Sequence, residues 1–460
     1  MNRSFAVAGM IAATLTQVLS PASAWAEVTH TVIAATGTSA PGGGLFFLFS
    51  TLGMNARGEV AFDAFLQGTS RPSGIFVGDG RTTSAIARGP DPTSGIFGFV
   101  QSPAIGAGGE VVFVAENTGI FRGDGIRISP LVQEGDPAPG GGNLTGLVFY
   151  SANSRGVIAF PASVSGGAST AGNFRSDGTR TVAIARDNTI SPLGGTFIFF
   201  GDPVINSQGQ VAYFAGMTGG SGDFGIFRGD DDGETNTTIF AANQPAPGGG
   251  TFVDFGVPII NGRGQVASLA SLTHGAGGLF RGDGKRAAAI ALQGNPAPKG
   301  GNYNGRFFGP QVMNDRGQVA FNAGLSGGAS GSGIFRGDGV TTSTIALAGT
   351  TAPGTTGTFS TFGDMKIGEN GTVAFIATLA LGVGGVDVTN NMGIWFGRSD
   401  SDLHLVVRTG DIIDGSTLIS LPRGLGMFDM NERGVAWEGG FSGRSSAIVF
   451  SRNLQEEEEE

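Results

Sequence analysis

The chain lacks cysteine and contains few lysines and histidines. None of the 460 residues is cysteine, which excludes a disulfide framework, a cysteine-ligated zinc site and a thiol nucleophile. The three histidines leave little material for a catalytic triad or a histidine-based metal site. Lys and Arg number 27 against 37 Asp and Glu, a net charge of −10. Because nucleic-acid binding requires basic residues that neutralise phosphates, this balance argues against nucleic acid as a partner.

Long hydrophobic runs are also missing, except at the beginning of the chain. Arg3 precedes an apolar stretch at residues 5–19, and small residues then offer cleavage after Ala24 or Ala26. This pattern predicts a signal peptide at residues 1–26 and export to the periplasm or the extracellular space. No later stretch approaches the roughly 18 apolar residues of a membrane-spanning helix. We therefore expect no transmembrane segment in the mature chain, and a disordered acidic tail at residues 454–460.

Glycine, by contrast, is in large excess and recurs within an internal repeat. It supplies 84 of 460 residues, against a usual share of about 7%. The repeat is Asn-x-x-Gly-x-Val-Ala-Phe, with starts about 53 residues apart. Three clear copies begin at Asn55, Asn153 and Asn314. Five looser copies begin at Gly106, Asn206, Asn261, Gly368 and Asn431. Each copy is followed by Gly-Ile-Phe-Arg-Gly-Asp-Gly or a variant, and several units close with Pro-Ala-Pro-Gly-Gly-Gly, as at residues 137–142 and 245–250.

These motifs predict β-strands joined by tight turns. Asn-x-x-Gly suits a type I turn in which Asn accepts a local hydrogen bond and Gly takes the left-handed position. Asp-Gly between β-rich runs is a strong hairpin signal, because both of its residues tolerate positive φ. The runs between the turns are short and rich in Val, Ile, Phe and Thr, and no helical periodicity is sustained. Each unit therefore holds four antiparallel strands, a to d.

Four strands per repeat at this period predict a β-propeller of eight blades, with a β-helix or leucine-rich solenoid as the competing architecture. The ends of the chain favour the propeller. Residues 29–35 match a lone strand d, whereas residues 418–420, 434–437 and 447–451 supply strands a, b and c with no strand d after them. The N-terminal strand is therefore expected to complete the C-terminal blade and close the ring, leaving no unpaired edge. The predicted domain covers residues 27–453, and we expect it to be monomeric.

The copies at Asn55, Asn153 and Asn314 resemble the Asn-x-x-Gly-x-x-Ala-Phe tandem repeats of exported bacterial proteins. The resemblance covers nearly the whole mature chain and implies a secreted or surface-held repeat protein, with no established activity. Residues 176–181, Ser-Asp-Gly-Thr-Arg-Thr, also look like the Asp-box of sialidase-like propellers, which implies a structural rather than a catalytic role.

Acidic residues of the d–a loops are the candidate ligand-binding residues. In a propeller the d–a and b–c connections share one face, around the mouth of the central channel. The acids expected at this mouth are Asp91, Glu134, Asp136, Asp187 and Asp411. Brought together by ring closure, they would attract a cation or a cationic ligand. The alternative is that these carboxylates only solubilise the loops.

Two further motifs offer weaker functional signals. Asp230, Asp231, Asp232 and Glu234 have the composition of a calcium loop but not its full spacing, so a Ca²⁺ site competes with an enlarged acidic turn. Arg-Gly-Asp occurs at Arg122, Arg228, Arg281 and Arg336. Because Gly and Asp-Gly belong to the turn, the repeated Arg is better explained as a tie between blades than as an adhesion motif.

Two functions from different classes follow. The favoured one is a non-enzymatic exported propeller that presents a binding face to a protein, a polysaccharide or a cell surface. The alternative is a glycan-active hydrolase or lyase that uses carboxylates at the channel mouth. No catalytic residue can be assigned and no cofactor is predicted beyond the Ca²⁺ candidate. The glycines of the b–c loops, such as residues 166–172 and 219–222, are not explained by turn geometry.

Overall fold

The repeat units fold as eight separate β-sheets. A computed structural model describes residues 28–91, 98–233, 235–422 and 426–452, and in those ranges the only helix is the 3₁₀ turn Thr273–Gly275. The predicted all-β class and eight-bladed propeller are confirmed. The predicted signal peptide and acidic tail lie outside the described residues.

The described chain opens with strand β1 (Thr29–Ala35), and blades 1 to 4 follow in order. Blade 1 comprises β2 (Leu45–Met54), β3 (Val60–Gln67), β4 (Ser73–Gly78) and β5 (Thr83–Gly89). Blade 2 comprises β6 (Val100–Ile105), β7 (Val111–Ala115), β8 (Gly119–Gly123) and β9 (Ile128–Gln133). Blade 3 comprises β10 (Asn143–Thr145) with β11 (Ser151–Ala152), β12 (Ile158–Ser165), β13 (Ala171–Ser176) and β14 (Thr181–Arg186). Blade 4 comprises β15 (Thr196–Phe200) with β16 (Val204–Ile205), β17 (Val211–Thr218), β18 (Phe224–Gly229) and β19 (Asn236–Ala241).

Blades 5 to 8 repeat the arrangement. Blade 5 comprises β20 (Phe252–Phe255) with β21 (Ile259–Ile260), β22 (Val266–Leu272), β23 (Gly277–Gly282) and β24 (Ala287–Leu292). Blade 6 comprises β25 (Asn302–Met313), β26 (Val319–Ser326), β27 (Ser332–Gly337) and β28 (Thr342–Leu347). Blade 7 comprises β29 (Phe359–Ile367), β30 (Val373–Leu379), β31 (Met392–Gly397) and β32 (His404–Arg408). Blade 8 comprises β33 (Ile412–Ile413), β34 (Ser416–Ser420), β35 (Phe428–Asn431), β36 (Gly434–Phe441), β37 (Arg444–Arg452) and β1.

The ring closes by pairing the two ends of the chain, as predicted. Strand β1 runs antiparallel to β37, with Thr29 opposite Arg452 at one end and Ala35 opposite Ala447 at the other. Strand β1 is thus strand d of blade 8, and every blade has its four strands. Inside this ladder His30 hydrogen-bonds Ser451, with 2.8 Å between Nδ1 and Oγ.

The core lies between neighbouring blades and is built on the aromatic residue of each motif. The Phe of Val-Ala-Phe in strand b stacks on the Phe of Gly-Ile-Phe in strand c, as Phe62 does on Phe76 with 5.6 Å between ring centroids. Both rings are fully buried, and their cluster includes Ala436 and Ile448 of blade 8. Burial of a Phe side chain stabilises the fold by about 1.5–3 kcal/mol, so the repeated aromatics explain how a cysteine-free chain holds together.

The repeated Asn builds its own turn and ties that turn to the next blade. The Asn206 Oδ1 accepts hydrogen bonds from the Gln208 and Gln210 N–H groups at 3.0 and 2.9 Å, and Gly209 has a positive φ of 88°. The Asn206 Nδ2 then donates to the Asn261 carbonyl oxygen of the following blade at 2.9 Å. Equivalent links at 2.7–3.2 Å start from Asn55, Asn153, Asn261, Asn314 and Asn431. We call this series the Asn ring.

The arginines of strand c form a second set of ties between blades, as the sequence suggested. Arg228 donates from Nη1 to the Gly264 carbonyl oxygen in the a–b turn of the next blade at 2.5 Å. Arg281 makes the same bond to Gly317. The acceptors are turn carbonyls, so these Arg-Gly-Asp arginines serve the architecture.

The Asp-Gly turns differ in detail from the prediction, because only the glycine takes positive φ. Gly178 has φ of 86°, whereas Asp177 is not among the positive-φ residues of the described chain. Asp177 Oδ1 instead accepts from the Thr179 and Arg180 N–H groups at 2.8 and 2.9 Å. Side-chain acceptance by Asp replaces the second left-handed residue. Asp79, Asp124, Asp283 and Asp338 repeat this geometry.

The unexplained glycines of the b–c loops pack directly against the Gly-rich d–a loops. A Cβ added to Gly195 would lie 2.6 Å from the Gly220 backbone N. A Cβ added to Gly142 or Gly301 would meet the backbone of Gly167 or Gly328 in the same way. Two backbones can approach this closely only when neither residue carries a side chain. The glycine excess in these loops therefore has a packing cause.

Candidate functional site

The two faces of the ring differ in structure. The d–a and b–c connections form what we call the loop face, and the a–b and c–d turns form the turn face. Strands a are innermost, because those of neighbouring blades contact one another, as β2 does β6 and β25 does β29, and in blades 1 to 7 each lies at one end of its sheet. The loop face is therefore one mouth of a central channel lined by strands a.

Three of the predicted acids lie in the junctions that follow blades 1 and 2. The Asp91 Oδ1 pairs with Arg71 Nη2 at 3.0 Å. Glu134 accepts the Gly146 and Leu147 N–H groups at 3.0 and 2.7 Å, just after β10 of blade 3. Asp136 closes its own turn by accepting the Gln133 N–H at 2.8 Å. Each carboxylate thus has a partner in or beside its own loop.

Asp187 and Asp411 have comparable local partners. Asp187 accepts from the Thr170 N–H and hydroxyl at 2.8 and 2.6 Å. Burial alone would raise the pKa of Asp187, but the hydrogen bonds from Thr170 and from the Ala171 N–H lower it. Asp411 accepts the Arg408 N–H at 2.7 Å, the geometry that Asp136 shows in another junction.

The structure places the five acids in four d–a junctions of the loop face. Glu134 and Asp136 share one junction, and the others belong to the junctions after blades 1, 3 and 7. Within the described ranges no group of three or more His, Asp or Glu is arranged to hold a metal ion. A ligand role for these acids remains a prediction, and the contacts above give each of them a structural role.

Three of the four calcium candidates lie on the opposite face. Asp230, Asp231 and Asp232 are in the c–d turn of blade 4, and Glu234 lies outside the described residues. The Asp230 Oδ1 accepts the Gln210 Nε2 at 3.2 Å, which connects this turn to the a–b turn that carries Asn206. The Ca²⁺ assignment stays a prediction.

Exposed apolar side chains are concentrated on the loop face and the channel. Of the 20 large hydrophobic side chains exposed in the described residues, 18 belong to strands a or the residues between their two segments, to the b–c or d–a loops, or to the end of strand b beside a b–c loop. The exceptions, Ile126 and Val340, lie in c–d turns. The turn face instead presents charged groups such as the exposed Arg57–Glu59 ion pair at 2.7 Å. Apolar exposure of this kind marks interaction surfaces in soluble proteins.

A repeated β-bulge places some of these side chains in the channel. In blade 4, Phe197 pairs with Met217 and Phe199 with Gly216, so Ile198 is left out of the register. Phe47, Val253 and Ile419 are skipped in the same way. Because both faces of a blade are covered by its neighbours, an exposed residue on an innermost strand projects toward the channel.

These residues form an apolar lining that sequence reasoning missed. We define the channel ring by one exposed residue on the innermost strand of each of five blades: Phe47 (58%), Ile198 (51%), Val253 (46%), Phe308 (43%) and Ile419 (58%). The signal was present in the sequence as Gly-Thr-Phe-x-x-Phe, at residues 195–200, 250–255 and 357–362. The residue after the first Phe occupies the bulge. Sequence analysis assumes that side chains alternate between the two faces of a strand, and the bulge interrupts this alternation.

A buried acid at the edge of the channel was also missed. Asp63 follows the motif aromatic of blade 1 and is 3% exposed. It accepts from the Thr51 N–H and hydroxyl at 2.7 and 2.9 Å. Burial raises the pKa of Asp63, opposed by the hydrogen bonds from Thr51 and the Ser102 backbone. Its donors come from the innermost strands of blades 1 and 2, so Asp63 joins these strands.

Comparison with known proteins gives a family and distant structural likenesses. A search of curated proteins found no match. A puromycin hydrolase structure is 12% identical with a TM-score of 0.43, over 85% of this chain and 58% of that one. The β-propeller domain of the Trilobed protease from Pyrococcus furiosus is 11% identical with a TM-score of 0.42, over 80% and 99%. A Mycobacterium tuberculosis puromycin-hydrolyzing peptidase is 11% identical with a TM-score of 0.42, over 86% and 58%.

The chain thus spans less than two thirds of the two puromycin-hydrolysing proteins. A helix long and apolar enough to cross a membrane is not found in the described part of the chain. Residues 4–332 and 277–445 match one protein family, described as a family of unknown function, DUF7453. The chain is an eight-bladed β-propeller that belongs to this family.

Proposed function

We propose that this protein is a non-enzymatic, exported binding propeller that engages a protein, polysaccharide or cell-surface partner through its loop face. The observation that carries the proposal is the unequal distribution of exposed apolar side chains, which favours the loop face over the turn face. A large apolar area on one face of a soluble domain is costly in water unless a partner covers it. The proposal includes membership among the exported bacterial proteins with Asn-x-x-Gly-x-x-Ala-Phe repeats, and the signal-like residues 1–26 support export.

The apolar part of the loop face near blades 7 and 8 is held by local hydrogen bonds. The b–c loop of blade 7 exposes Leu381 and Val388. Arg408 fixes this loop by donating from Nη2 to the Asn390 side-chain oxygen at 3.0 Å. Ile412, in the neighbouring d–a connection, is 75% exposed. A rigid apolar surface loses little conformational entropy on binding, which suits a recognition surface.

The local hydrogen bonds of the acids support binding rather than catalysis. A glycosidase needs one carboxylic acid and one carboxylate about 5–9.5 Å apart beside a sugar. Here Asp136 and Asp411 each accept a backbone N–H of their own turn and lie in junctions after blades 2 and 7. Their position is explained by turn structure, and we do not assign them to a reaction.

The experiment combines a binding screen with a turnover assay on the same samples. Purified protein is applied to a glycan array and to cell-envelope fractions, and release of reducing ends is measured in parallel. We expect saturable binding without release of reducing ends. Binding should fall in Leu381→Asp and Val388→Asp and persist in the matched turn-face variants Ile126→Asp and Val340→Asp.

Two results would overturn the proposal. One is binding that is lost in the turn-face variants and retained in the loop-face variants. The other is glycan cleavage that Asp136→Asn and Asp411→Asn abolish, since Asn keeps the turn hydrogen bond but removes the acid. The second result would establish the hydrolase or lyase alternative.

A further inference from the structure

Two neighbouring loops carry exposed aliphatic side chains where blades 7 and 8 meet. One is the b–c loop of blade 7, and the other is the connection from blade 7 to blade 8. The two loops touch, because a Cβ added to Gly410 would lie 3.6 Å from Asn390 Cβ and 3.7 Å from Thr389 O. Four side chains, each 42–75% exposed, define what we call the 7/8 patch: Leu381, Val383, Val388 and Ile412.

The backbone under the 7/8 patch is held by contacts that do not use its exposed side chains. Val386, in the middle of the b–c loop, is buried. The Gly384 carbonyl oxygen accepts the Thr356 hydroxyl of the preceding d–a loop at 2.5 Å. Ile412 pairs with Thr417 in a short hairpin, and Ile419 of the same hairpin strand belongs to the channel ring. The apolar surface therefore continues from the patch to the channel mouth.

The charge exposed around the 7/8 patch is negative. Residues 380–391 and 409–420 contain three aspartates and no Lys or Arg, and Asp387, Asp411 and Asp414 are all exposed. Arg444 pairs with Asp414 at 3.3 Å, but its side chain is 15% exposed against 67% for the aspartate. Arg408 is half-buried and is committed to the Asn390 side-chain oxygen. An approaching molecule thus meets aliphatic groups bordered by carboxylates.

This combination discriminates between classes of partner. A second copy of the chain, docked through the same patch about a twofold axis, would bring like charges together. An anionic lipid surface or polymer would meet the same repulsion. A neutral polysaccharide would lose hydration of its hydroxyl groups against aliphatic side chains that cannot accept or donate hydrogen bonds. A protein segment with apolar and basic side chains matches both the patch and its border.

We infer that the 7/8 patch binds a basic, apolar segment of a partner protein. The apolar side chains of the segment cover the patch, and its Lys or Arg residues lie near Asp387, Asp411 and Asp414. The inference rests on the proposed function and names the chemistry of the partner and the place where it binds. A partner bound elsewhere on the loop face would satisfy the proposed function without it.

The test uses three labelled peptides as probes of the purified full chain, measured by fluorescence anisotropy. They have one length and one spacing of residues, and they contain Lys and Leu, Glu and Leu, or Lys and Ser. We expect the Lys/Leu peptide to bind at least about tenfold more tightly than the other two, since each of those lacks one of the two contributions.

Apolar variants locate the binding on the patch. Val388→Ser and Ile412→Ser should each weaken binding of the Lys/Leu peptide about fivefold through lost apolar contact. Ile126→Ser and Val340→Ser are the matched controls, because they remove exposed apolar groups from the turn face, and they should leave the affinity unchanged.

Charge variants separate the acids of the patch from the net charge of the protein. Asp387→Asn combined with Asp414→Asn should weaken binding about threefold. Asn keeps an oxygen that accepts the Thr389 N–H, and it tolerates the positive φ of 50° at position 414. Asp124→Asn combined with Asp338→Asn removes the same two charges from c–d turns of the turn face and should have no effect.

Several outcomes would overturn the inference. Equal binding of the Glu/Leu peptide would exclude a basic segment, and equal losses in the two charge variants would reduce the effect to general attraction by an acidic protein. If the Lys/Leu peptide does not bind while a loop-face partner from the binding screen does, the inference is wrong and the proposed function stands. If neither peptide nor partner binds the loop face, both are wrong.

Discussion

Substitution of Asn206 tests the Asn ring, because one side chain serves both its own turn and the next blade. The residue is 4% exposed. Its Oδ1 accepts two backbone N–H groups, and its Nδ2 donates to the Asn261 carbonyl and the Gln210 Oε1 at 2.9 and 3.0 Å. Asn206→Ala would leave two N–H groups and one carbonyl without partners. Each such buried group costs about 1–3 kcal/mol, so we expect a loss of about 3 kcal/mol.

Asn206→Asp separates the two roles. It keeps an oxygen that accepts the turn N–H groups, but it loses the donor to Asn261 and places an oxygen about 3 Å from two other oxygens. We expect this variant to lose about 2 kcal/mol at neutral pH. Burial should raise the pKa of the new carboxyl, so the deficit should shrink as the pH falls and the protonated group donates again.

The assay is equilibrium unfolding in guanidinium chloride followed by tryptophan fluorescence, since Trp395 and Trp437 are fully buried. Asn117→Asp is the matched control, because it introduces the same charge at an exposed b–c position. If Asn206→Asp and Asn117→Asp unfold at the same denaturant concentration, the bond between blades contributes nothing and the interpretation of the Asn ring is wrong.

Three further predictions concern the other repeated contacts. Arg281→Lys should lower the free energy of unfolding by about 1 kcal/mol through loss of the hydrogen bond to the next blade. Arg286→Lys, in an exposed turn, is the control and should not lower it. Equal thermal midpoints of unfolding for the two variants would contradict this prediction. The hydroxyl and N–H donors of Thr179 and Arg180 outweigh burial and lower the pKa of Asp177 to about 2. The ionised Asp177 should therefore contribute about 1 kcal/mol to the free energy of unfolding, after allowance for solvent screening. This contribution should be complete above pH 4 and lost toward pH 2. A pH titration in which Asp177→Asn loses stability in parallel with the unsubstituted protein would contradict this prediction. Gly220→Ala should cost about 2 kcal/mol because its Cβ would approach the Gly195 backbone, and Gly331→Ala, with open space around its Cβ, should be neutral by the same denaturant titration.

The architecture was predictable because each repeat carries the residues that determine its own turns. Three motifs determine local structure through contacts within a few residues: Asn-x-x-Gly, Asp-Gly and the aromatic of Val-Ala-Phe. Because the repeat occurs in eight copies, each copy supports the same prediction of four strands. Ring closure was predicted from an unmatched strand d at residues 29–35 and from a last repeat unit that lacks its own strand d. The pairing of β1 with β37 confirmed this prediction.

The candidate site was less predictable because it depends on contacts between repeats. Sequence reasoning selected acids on the loop face, but it does not show that Glu134 accepts backbone N–H groups twelve and thirteen residues away in sequence. The bulge that exposes Ile198 breaks the alternation from which strand faces are inferred. Likewise the Gly195–Gly220 approach joins two loops whose separation is set by the folded blade.

The most direct test of the binding site takes advantage of the cysteine-free chain. Ile198→Cys and Val340→Cys each create one attachment point for an environment-sensitive fluorophore, in the channel and on the turn face respectively. On addition of the partner identified in the binding screen, the label at position 198 should change emission saturably while the label at position 340 does not. A saturable change at position 340 with none at position 198 would place binding on the turn face and contradict the assignment of the loop face and channel.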